Sequence, residues 1–409
     1  MTRKEQGKKG PPRKEHSPIV QQLDKLLKDH KGWSELLQAS LKDAYERAND
    51  KLAKKEWEHY IDEYPASTLP EYRTYLDWLV TWHPIQEKDY HNYQRELLFQ
   101  ICKFYWLINQ PDGRALQREK APNREVGNDF TDWMVDFAND WGDCLNQPES
   151  LTQESLVSFY RDEAYNMGQY VGYDPDWEAK VEAGEPIERK TWMSFNQFFS
   201  RQVKGGLRPV AGMFDDKIIC APADCTFKEK FHINAHSQIT VKHTHRYNVY
   251  DLLEGSPYQD RFENGIFMHS FLGPNDYHRF HAPVRGTVLE SRAIHEQVYL
   301  DVTITDGQFD APDGAGYQFS QTRGLIIFDS PIGLVAVLPI GMAQVSSVNM
   351  TAVVGSYFNK GDEFGYFQFG GSDIILLFEA SSGVTVTAAP GIHTNVGMCI
   401  AEVIKLCCK

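Results

Sequence analysis

The stretch Y-F-Q-F-G-G-S-D-I-I-L-L-F, residues 366–378, decides how the second half of this chain folds. Residues 366–369 form an aromatic-rich run, and residues 374–378 form a continuous apolar run of the length of a strand. The two glycines at 370–371 indicate a kink or bulge between paired strands. The pattern therefore predicts β structure on both sides of a small hydroxyl residue, Ser372.

A second group of polar residues lies upstream, in F-L-G-P-N-D-Y-H-R-F-H-A-P, residues 271–283. His278 and His281 stand three residues apart between apolar runs, so they could supply a base and an acid. Residues three apart point to opposite faces of a regular strand. Serving one site therefore requires a bend, turn or bulge between them, and Pro283 is compatible with such a break.

Together these segments resemble the phosphatidylserine decarboxylase family, whose members carry a D-Y-H-R-x-H segment and a late G-S-T or G-G-S processing site. Further segments are similar to the family in the same order along the chain: 195–201 with 208–210, 221–224, 242–253 with one extra residue, and 340–348. The resemblance covers the chain from about Ser194 to its end. Several motifs in order are more specific than any one of them.

The resemblance implies that Ser372 attacks the carbonyl of Gly371, so that the chain cuts itself and Ser372 becomes a covalent pyruvoyl cofactor with loss of ammonia. A serine hydroxyl is a poor nucleophile without a base. By the family pattern that base is His281, oriented by Asp224 as in a serine–histidine–aspartate arrangement. His278 lies near the pyruvoyl group and returns a proton after carbon dioxide leaves. The pyruvoyl ketone supplies the electron sink.

Asp373 departs from this pattern, because the family's phospholipid enzymes usually have threonine there. We expect its carboxylate to place negative charge beside the new pyruvoyl group. The departure is also the one hint of an alternative, a degenerate family member that acts as a binding or scaffold protein. The retained Asp224, His278, His281 and Ser372 count against that alternative.

A metal site is a further alternative, since histidines cluster in the β-rich region and His-x-His is a plausible ligand pair. The candidate ligands are His243, His245, His269, His278 and His281. No carboxylate or cysteine partner stands at a recognisable spacing, so we rank a metal-dependent β-barrel enzyme below the pyruvoyl enzyme and expect no metal.

The composition limits which partners and which cellular compartment we expect for this protein. A net charge of −14 argues against nucleic acid and gives no attraction to anionic membrane surfaces. No apolar run reaches transmembrane length, and residues 1–16 read as a disordered basic tail without the apolar region of a signal peptide. The seven cysteines lack zinc-like spacing and are most simply reduced thiols, so we expect a cytoplasmic protein.

The chain is long enough for two domains, and we expect an α+β protein. Apolar residues at helical spacing over 19–27, 97–108 and 130–145 predict a helical N-terminal domain at 17–167. A Gly-, Pro- and Glu-rich linker follows at 168–190. Residues 191–409 then form a β-rich catalytic domain, with one short helix at 249–253. A homo-oligomer is possible.

A helical N-terminal domain joined to this core resembles the soluble branch of the family that acts on free amino acids, typified by the L-tryptophan decarboxylase of psilocybin biosynthesis. That type shares the segments found here at 277–283, 340–342 and 369–372. The hypothesis is decarboxylation of a free L-amino acid, aromatic in kind (Trp, Phe or Tyr), to its amine. The alternative is decarboxylation of phosphatidylserine to phosphatidylethanolamine. The glycine-rich segment 297–320 is a candidate determinant of the substrate.

Overall fold

The computed structural model describes residues 15–62, 64–86, 96–117, 129–189, 191–241, 245–312, 314–343 and 347–404. Several sequence predictions concern residues outside these ranges, and they stay predictions: the basic tail up to residue 14, the histidine at 243, residues 344–346 within the motif at 340–348, and the cysteines at 407 and 408.

Helices dominate the first half of the described chain. They are α1 (Pro18–Asp29), α2 (Trp33–Lys51), α3 (Lys54–Asp62), α4 (Leu69–Leu79), α5 (Glu96–Ile108), α6 (Pro111–Arg114), α7 (Phe130–Leu145), α8 (Gln153–Arg161), α9 (Trp177–Ala183), α10 (Phe195–Phe199) and α11 (Val249–Leu253). The helices predicted over 19–27, 97–108, 130–145 and 249–253 are all confirmed.

Helix α7 shows why the pattern was readable from sequence. Asp129 caps its first turn by accepting a hydrogen bond from the backbone N–H of Asp132. Trp133, Phe137 and Trp141 recur at helical spacing and are buried, whereas the acids of the opposite face reach solvent. No helix within the described ranges is both long and apolar enough to cross a membrane.

Strands make up most of the second half. They are β1 (Ile218–Cys220), β2 (Cys225–His232), β3 (Gln238–Val241), β4 (His245–Asn248), β5 (Ile266–Leu272), β6 (Arg279–His281), β7 (Gly286–Ile294), β8 (Thr303–Thr305), β9 (Gln308–Asp310), β10 (Arg323–Ser330), β11 (Gly333–Met342), β12 (Val348–Met350), β13 (Tyr357–Phe358), β14 (Glu363–Phe367), β15 (Gly371–Phe378), β16 (Val384–Val386), β17 (His393–Thr394) and β18 (Cys399–Val403). The α+β class is thereby confirmed.

The main sheet has eight antiparallel strands in the order β13-β7-β10-β11-β15-β5-β2-β17. Strand β15 lies in its interior, between β11 and β5. A three-stranded sheet, β12-β14-β6, carries the segment just before β15 together with the end of the histidine motif. The kink predicted at residues 370–371 therefore connects a small sheet to a large one.

Two apolar clusters cover the two faces of β15. Because side chains alternate along a strand, Ile374 and Leu376 join one cluster, and Ile375 and Leu377 join the other. The first cluster also contains the buried residues of α1, α2, α5 and α7. The helical half of the chain therefore shares one core with the face of β15 that Ile374 occupies.

The helical and β regions are in direct contact. The ring of Phe309 in β9 lies 5.3 Å from that of Phe99 and 5.7 Å from that of Trp106. The Asn109 side chain donates to the carbonyl of Leu300 at 2.7 Å. The segment predicted as a linker, 168–190, contains α9 and the buried residues Tyr170, Asp174 and Ile187. The domain boundaries remain predictions.

Candidate active site

Ser372 is the second residue of β15 and pairs with Gly341 of β11 on one side and Leu272 of β5 on the other. It is fully buried, and its Oγ has no hydrogen-bond partner among the described residues. A buried polar atom without a partner costs about 1–3 kcal/mol and calls for an explanation. A hydroxyl that is not committed to a structural bond is available to attack a carbonyl.

The backbone around Ser372 adopts uncommon conformations. Gly370 has a φ of 149°, a value that favours glycine and ends the aromatic run before β15 begins. Ala343 has a φ of 62°, and it directly follows Met342, which pairs with Gly371. Non-glycine residues rarely adopt positive φ, and such strain clusters at functional sites. Both features adjoin the peptide bond between Gly371 and Ser372.

His278 lies just before β6 and is fully buried. Its ring packs on that of Phe199 with centroids 4.0 Å apart, and neither ring nitrogen has a hydrogen-bond partner of normal geometry within the described residues. Burial lowers the pKa of His278 well below its usual value, and the positive charge of Arg201 adds to this effect. The imidazole is therefore neutral at neutral pH and can accept a proton.

His281, at the end of β6, has both ring nitrogens occupied. Nδ1 lies 2.8 Å from the carbonyl oxygen of Gly361, so it carries the proton and donates. Nε2, 3.1 Å from the Tyr277 hydroxyl, is then the acceptor. Burial lowers the pKa of His281, while the Gly361 carbonyl and the nearby carboxylates of Glu363 and Asp224 oppose that change.

Asp224 contacts an arginine, which differs from the sequence-based expectation. Arg208 donates to both carboxylate oxygens through Nε, at 2.9 and 3.1 Å, and also through Nη2. The backbone N–H of Val396 donates to Oδ1 at 2.8 Å. Within the described part of the chain, no hydrogen bond joins Asp224 to His281, whose ring is oriented instead by Gly361 and Tyr277. The physical reason is that a guanidinium matches a carboxylate with two parallel bonds.

The predicted residues are nevertheless drawn into one region. The backbone N–H of His281 donates to the carbonyl of Pro222, two residues before Asp224, at 2.7 Å. The backbone N–H of Phe367 donates to the carbonyl of His278 at 2.8 Å, five residues before Ser372. Strand pairing therefore places the Asp224 segment and the segment before Ser372 beside the histidine motif, although no hydrogen bond joins the four side chains to one another among the described residues.

The break expected between the two histidines is present. His278 lies outside β6, and the opposite strand β14 carries a bulge between Glu363 and Gly365. The rings have different surroundings: Phe199 and Phe367 lie next to His278, whereas Tyr277 lies next to His281.

Asp373 does not place its carboxylate beside Ser372, contrary to expectation. Strand alternation directs it to the other face of the sheet, which it shares with Ile375 and Leu377. There it is fully buried, and its Oδ2 accepts from Gln318 and Tyr317 and lies 3.2 Å from Nε2 of His269.

Aromatic rings form a wall next to the site that the sequence did not reveal. Phe369 lies three residues before Ser372, and its ring is 5.3–5.4 Å from those of Trp141, Phe195 and Phe199. Phe199 also packs on His278. Only the high aromatic content of these segments could have signalled it.

A polar cavity of about 420 Å³ adjoins the three-stranded sheet β12-β14-β6. Its lining includes Arg201, Arg279, Tyr366 and Gln368, which neighbour the residues around His278 and Phe369. Ser372 does not line it. The opening is therefore near the histidine motif but does not reach the serine.

The candidate metal ligands are dispersed. His245 is exposed on β4, and His269 lies on the far face of β5 with Asp373. Across the described ranges, no group of three or more histidine, cysteine, aspartate or glutamate side chains could hold a metal ion. His243 lies outside those ranges.

Comparison with known proteins places these features in context. The family described as phosphatidylserine decarboxylase matches residues 195–402. The rice (Oryza sativa subsp. japonica) phosphatidylserine decarboxylase proenzyme 2 is 29% identical over 267 residues, which are 65% of this chain and 40% of that protein. The match therefore spans less than half of the rice protein's length.

Two fungal proteins are also similar. The decarboxylase iboD of Amanita muscaria is 28% identical over 345 residues, which cover 75% of this chain and 91% of that protein. The L-tryptophan decarboxylase of Psilocybe cyanescens is 26% identical over 242 residues, 54% of this chain and 55% of that protein. The matched family region contains Asp224, His278, His281 and Ser372.

Proposed function

The chain belongs to the phosphatidylserine decarboxylase family, and we propose that it cuts itself between Gly371 and Ser372 and then decarboxylates a free L-amino acid. The family match supports decarboxylase activity in general. The observation that carries the proposed self-cleavage is the buried hydroxyl of Ser372, which no described residue engages. It follows two glycines and stands five residues after Phe367, whose backbone bonds to the neutral His278.

The self-cleavage proceeds on the chain's own atoms. Ser372 Oγ attacks the carbonyl carbon of Gly371 and loses its proton to a histidine, and the peptide C–N bond breaks to leave an ester. Elimination then frees the carboxylate of Gly371 and leaves dehydroalanine at position 372. Water hydrolyses this residue, ammonia leaves, and a pyruvoyl group remains at the start of the new chain.

The residues present fit such a group. Ser372 sits at the start of an interior strand, so the new chain end stays held by pairing with β11 and β5. When formed, the pyruvoyl carbonyl supplies an electron sink for the carbanion left by loss of carbon dioxide. His278, neutral and buried, accepts a proton from the substrate's ammonium group and then delivers that proton to the product.

His281 is the proposed base for the cleavage. Its Nε2 carries the lone pair, because Nδ1 donates to Gly361. To serve Ser372, Nε2 exchanges the hydroxyl of Tyr277 for that of Ser372. Asp224 then acts through the local field rather than through a direct bond, since Arg208 and Val396 hold its oxygens.

Two observations support an amino-acid substrate. The first is that the Psilocybe relative is named for L-tryptophan. The second is that the ring of Phe199, which contacts that of Phe369, packs on His278, so an aromatic surface adjoins the proposed proton donor, and aromatic side chains pack favourably on such surfaces. We therefore favour tryptophan, phenylalanine or tyrosine.

Decarboxylation of phosphatidylserine is the second candidate, since the family and the rice relative carry that name. The test is release of labelled carbon dioxide from carboxyl-labelled amino acids and, in parallel, from phosphatidylserine vesicles. Release from an aromatic amino acid alone supports the proposal. Release from the vesicles alone would replace it with the second candidate.

A further inference from the structure

Asp373 follows Ser372 directly and carries a buried carboxylate that the proposed reaction does not use. Its Oδ2 accepts a hydrogen bond from Nε2 of Gln318 at 2.8 Å and another from the hydroxyl of Tyr317. Nε2 of His269 lies 3.2 Å from the same oxygen. Asp373, His269 and Gln318 are all fully buried. We call these four residues the Asp373 network.

Two partners of Asp373 are held in place by their own elements. The amide oxygen of Gln318 accepts from the backbone N–H of Gly316 at 2.7 Å, which fixes which end of the amide faces Asp373. His269 belongs to the interior strand β5. Nε2 of Gln318 also lies 3.0 Å from Nε2 of His269 and donates to it, so the donors to Oδ2 of Asp373 are Tyr317 and Gln318, while His269 lies against that oxygen. A buried carboxylate requires such donors.

The network constrains Ser372 through the backbone. One peptide unit joins the two residues, and alternation directs their side chains to opposite faces of β15. Fixing Asp373 on the far face fixes that peptide plane, and hence the direction in which Cβ of Ser372 points. The hydroxyl itself has no partner among the described residues to orient it, so its aim depends on the backbone.

We propose that Asp373, held by Tyr317, Gln318 and His269, is a positioning residue that aims Ser372 at the Gly371 carbonyl. The inference rests on the proposed self-cleavage. It also gives a role to the glycine-rich segment at 314–320, which supplies two of the three partners. After cleavage Ser372 is a chain end attached on one side only, and the Asp373 network then holds the pyruvoyl group in place.

The test is the rate of self-cleavage in three variants of the full chain. Tyr317→Phe removes one donor and keeps the ring, and Asp373→Asn removes the charge at nearly constant volume. The control, Glu379→Gln, neutralises another buried carboxylate that accepts from the backbone of Leu334 just past the far end of β15. Cell-free synthesis with labelled methionine follows the reaction, because Met398 labels the small fragment.

Melting temperatures are measured for the same substitutions in a Ser372→Ala background, where no chain is cut. The proposal expects Tyr317→Phe and Asp373→Asn to cleave at least about tenfold more slowly than the wild type, since small misplacements of reacting atoms have large effects on rate. Because changing a buried carboxylate or its donor lowers stability, the proposal expects Tyr317→Phe and Asp373→Asn to lower the melting temperature no more than Glu379→Gln does, and it expects Glu379→Gln to cleave at the wild-type rate.

Equal cleavage rates in Tyr317→Phe, Asp373→Asn and the wild type would overturn this inference alone. So would slow cleavage that tracks lowered melting temperature in all three variants, because the effect would then be strand stability. A wild-type chain that never cleaves would overturn the proposed function, and this inference with it.

Discussion

The two faces of strand β15 differ in the hydrogen-bond partners of their polar groups. On one face the hydroxyl of Ser372 is buried with no partner among the described residues. On the other, one oxygen of Asp373 is surrounded by Tyr317, Gln318 and His269. Both residues are fully buried and adjacent in sequence. Burial alone therefore does not mark a reactive group, and neither does a missing partner, since Oδ1 of Asp373 also has none among the described residues. Ser372 differs because its hydroxyl follows directly on the Gly371 carbonyl and can attack it.

The largest expected effect comes from removing the free hydroxyl. Ser372→Ala abolishes both chain cleavage and carbon dioxide release, because no other atom replaces Oγ as the nucleophile or as the source of the pyruvoyl group. Electrophoresis of the purified protein measures cleavage. Ser382→Ala is the matched control, since Ser382 is also buried but its hydroxyl donates to the carbonyl of Glu379. Cleavage of the Ser372→Ala chain would show that the Ser372 hydroxyl is not the nucleophile.

Substitutions of the two histidines are expected to affect different steps, His281 the self-cleavage and His278 the decarboxylation. His281→Gln slows self-cleavage by roughly 10²- to 10⁴-fold, the usual contribution of a general base. His278→Gln leaves cleavage largely intact and lowers the rate of decarboxylation. The exposed His232 serves as a control through His232→Gln. If His278→Gln instead blocks cleavage and His281→Gln does not, the two roles are reversed.

Breaking the buried ion pair between Asp224 and Arg208 is expected to lower the stability of the fold as well as the activity. Arg208→Gln leaves the buried carboxylate of Asp224 with the backbone N–H of Val396 as its remaining hydrogen-bond donor among the described residues. Removing one member of a buried ion pair destabilises a protein by about 3 kcal/mol. Chemical denaturation in the Ser372→Ala background measures this change. Arg47→Gln, which breaks a more exposed pair with Asp43, is expected to change stability by less than about 1 kcal/mol.

The smallest effect concerns pH. The folded state holds the pKa of His278 well below its usual value and lowers that of His281 as well. An unfolded chain binds these protons near pH 6.5. Stability is therefore complete above that pH and falls as pH decreases towards the lowered pKa, by up to about 1.4 kcal/mol per pH unit for each histidine. The contribution of one histidine should disappear in His278→Gln, and an unchanged slope would contradict neutral burial.

Much of the fold could be read from local pattern. The apolar periodicity and Asp129 cap of α7, and the apolar run after Ser372, are local signals that tertiary packing reinforces. The face taken by Asp373 also follows from strand alternation, so the expectation of charge beside Ser372 was avoidable. The pairing of Asp224 with Arg208 could not be predicted from the sequence, because each residue has several possible partners until the chain has folded.

An intact mass of the purified protein under denaturing conditions tests the central claim most directly. We expect two chains, residues 1–371 and 372–409, with the smaller about 17 Da lighter than a free N-terminal serine would make it, because ammonia is lost as the pyruvoyl group forms. A single chain of 46.9 kDa would contradict it. Two chains with an ordinary N-terminal serine on the smaller would also contradict it, since hydrolysis alone would then have cut the chain.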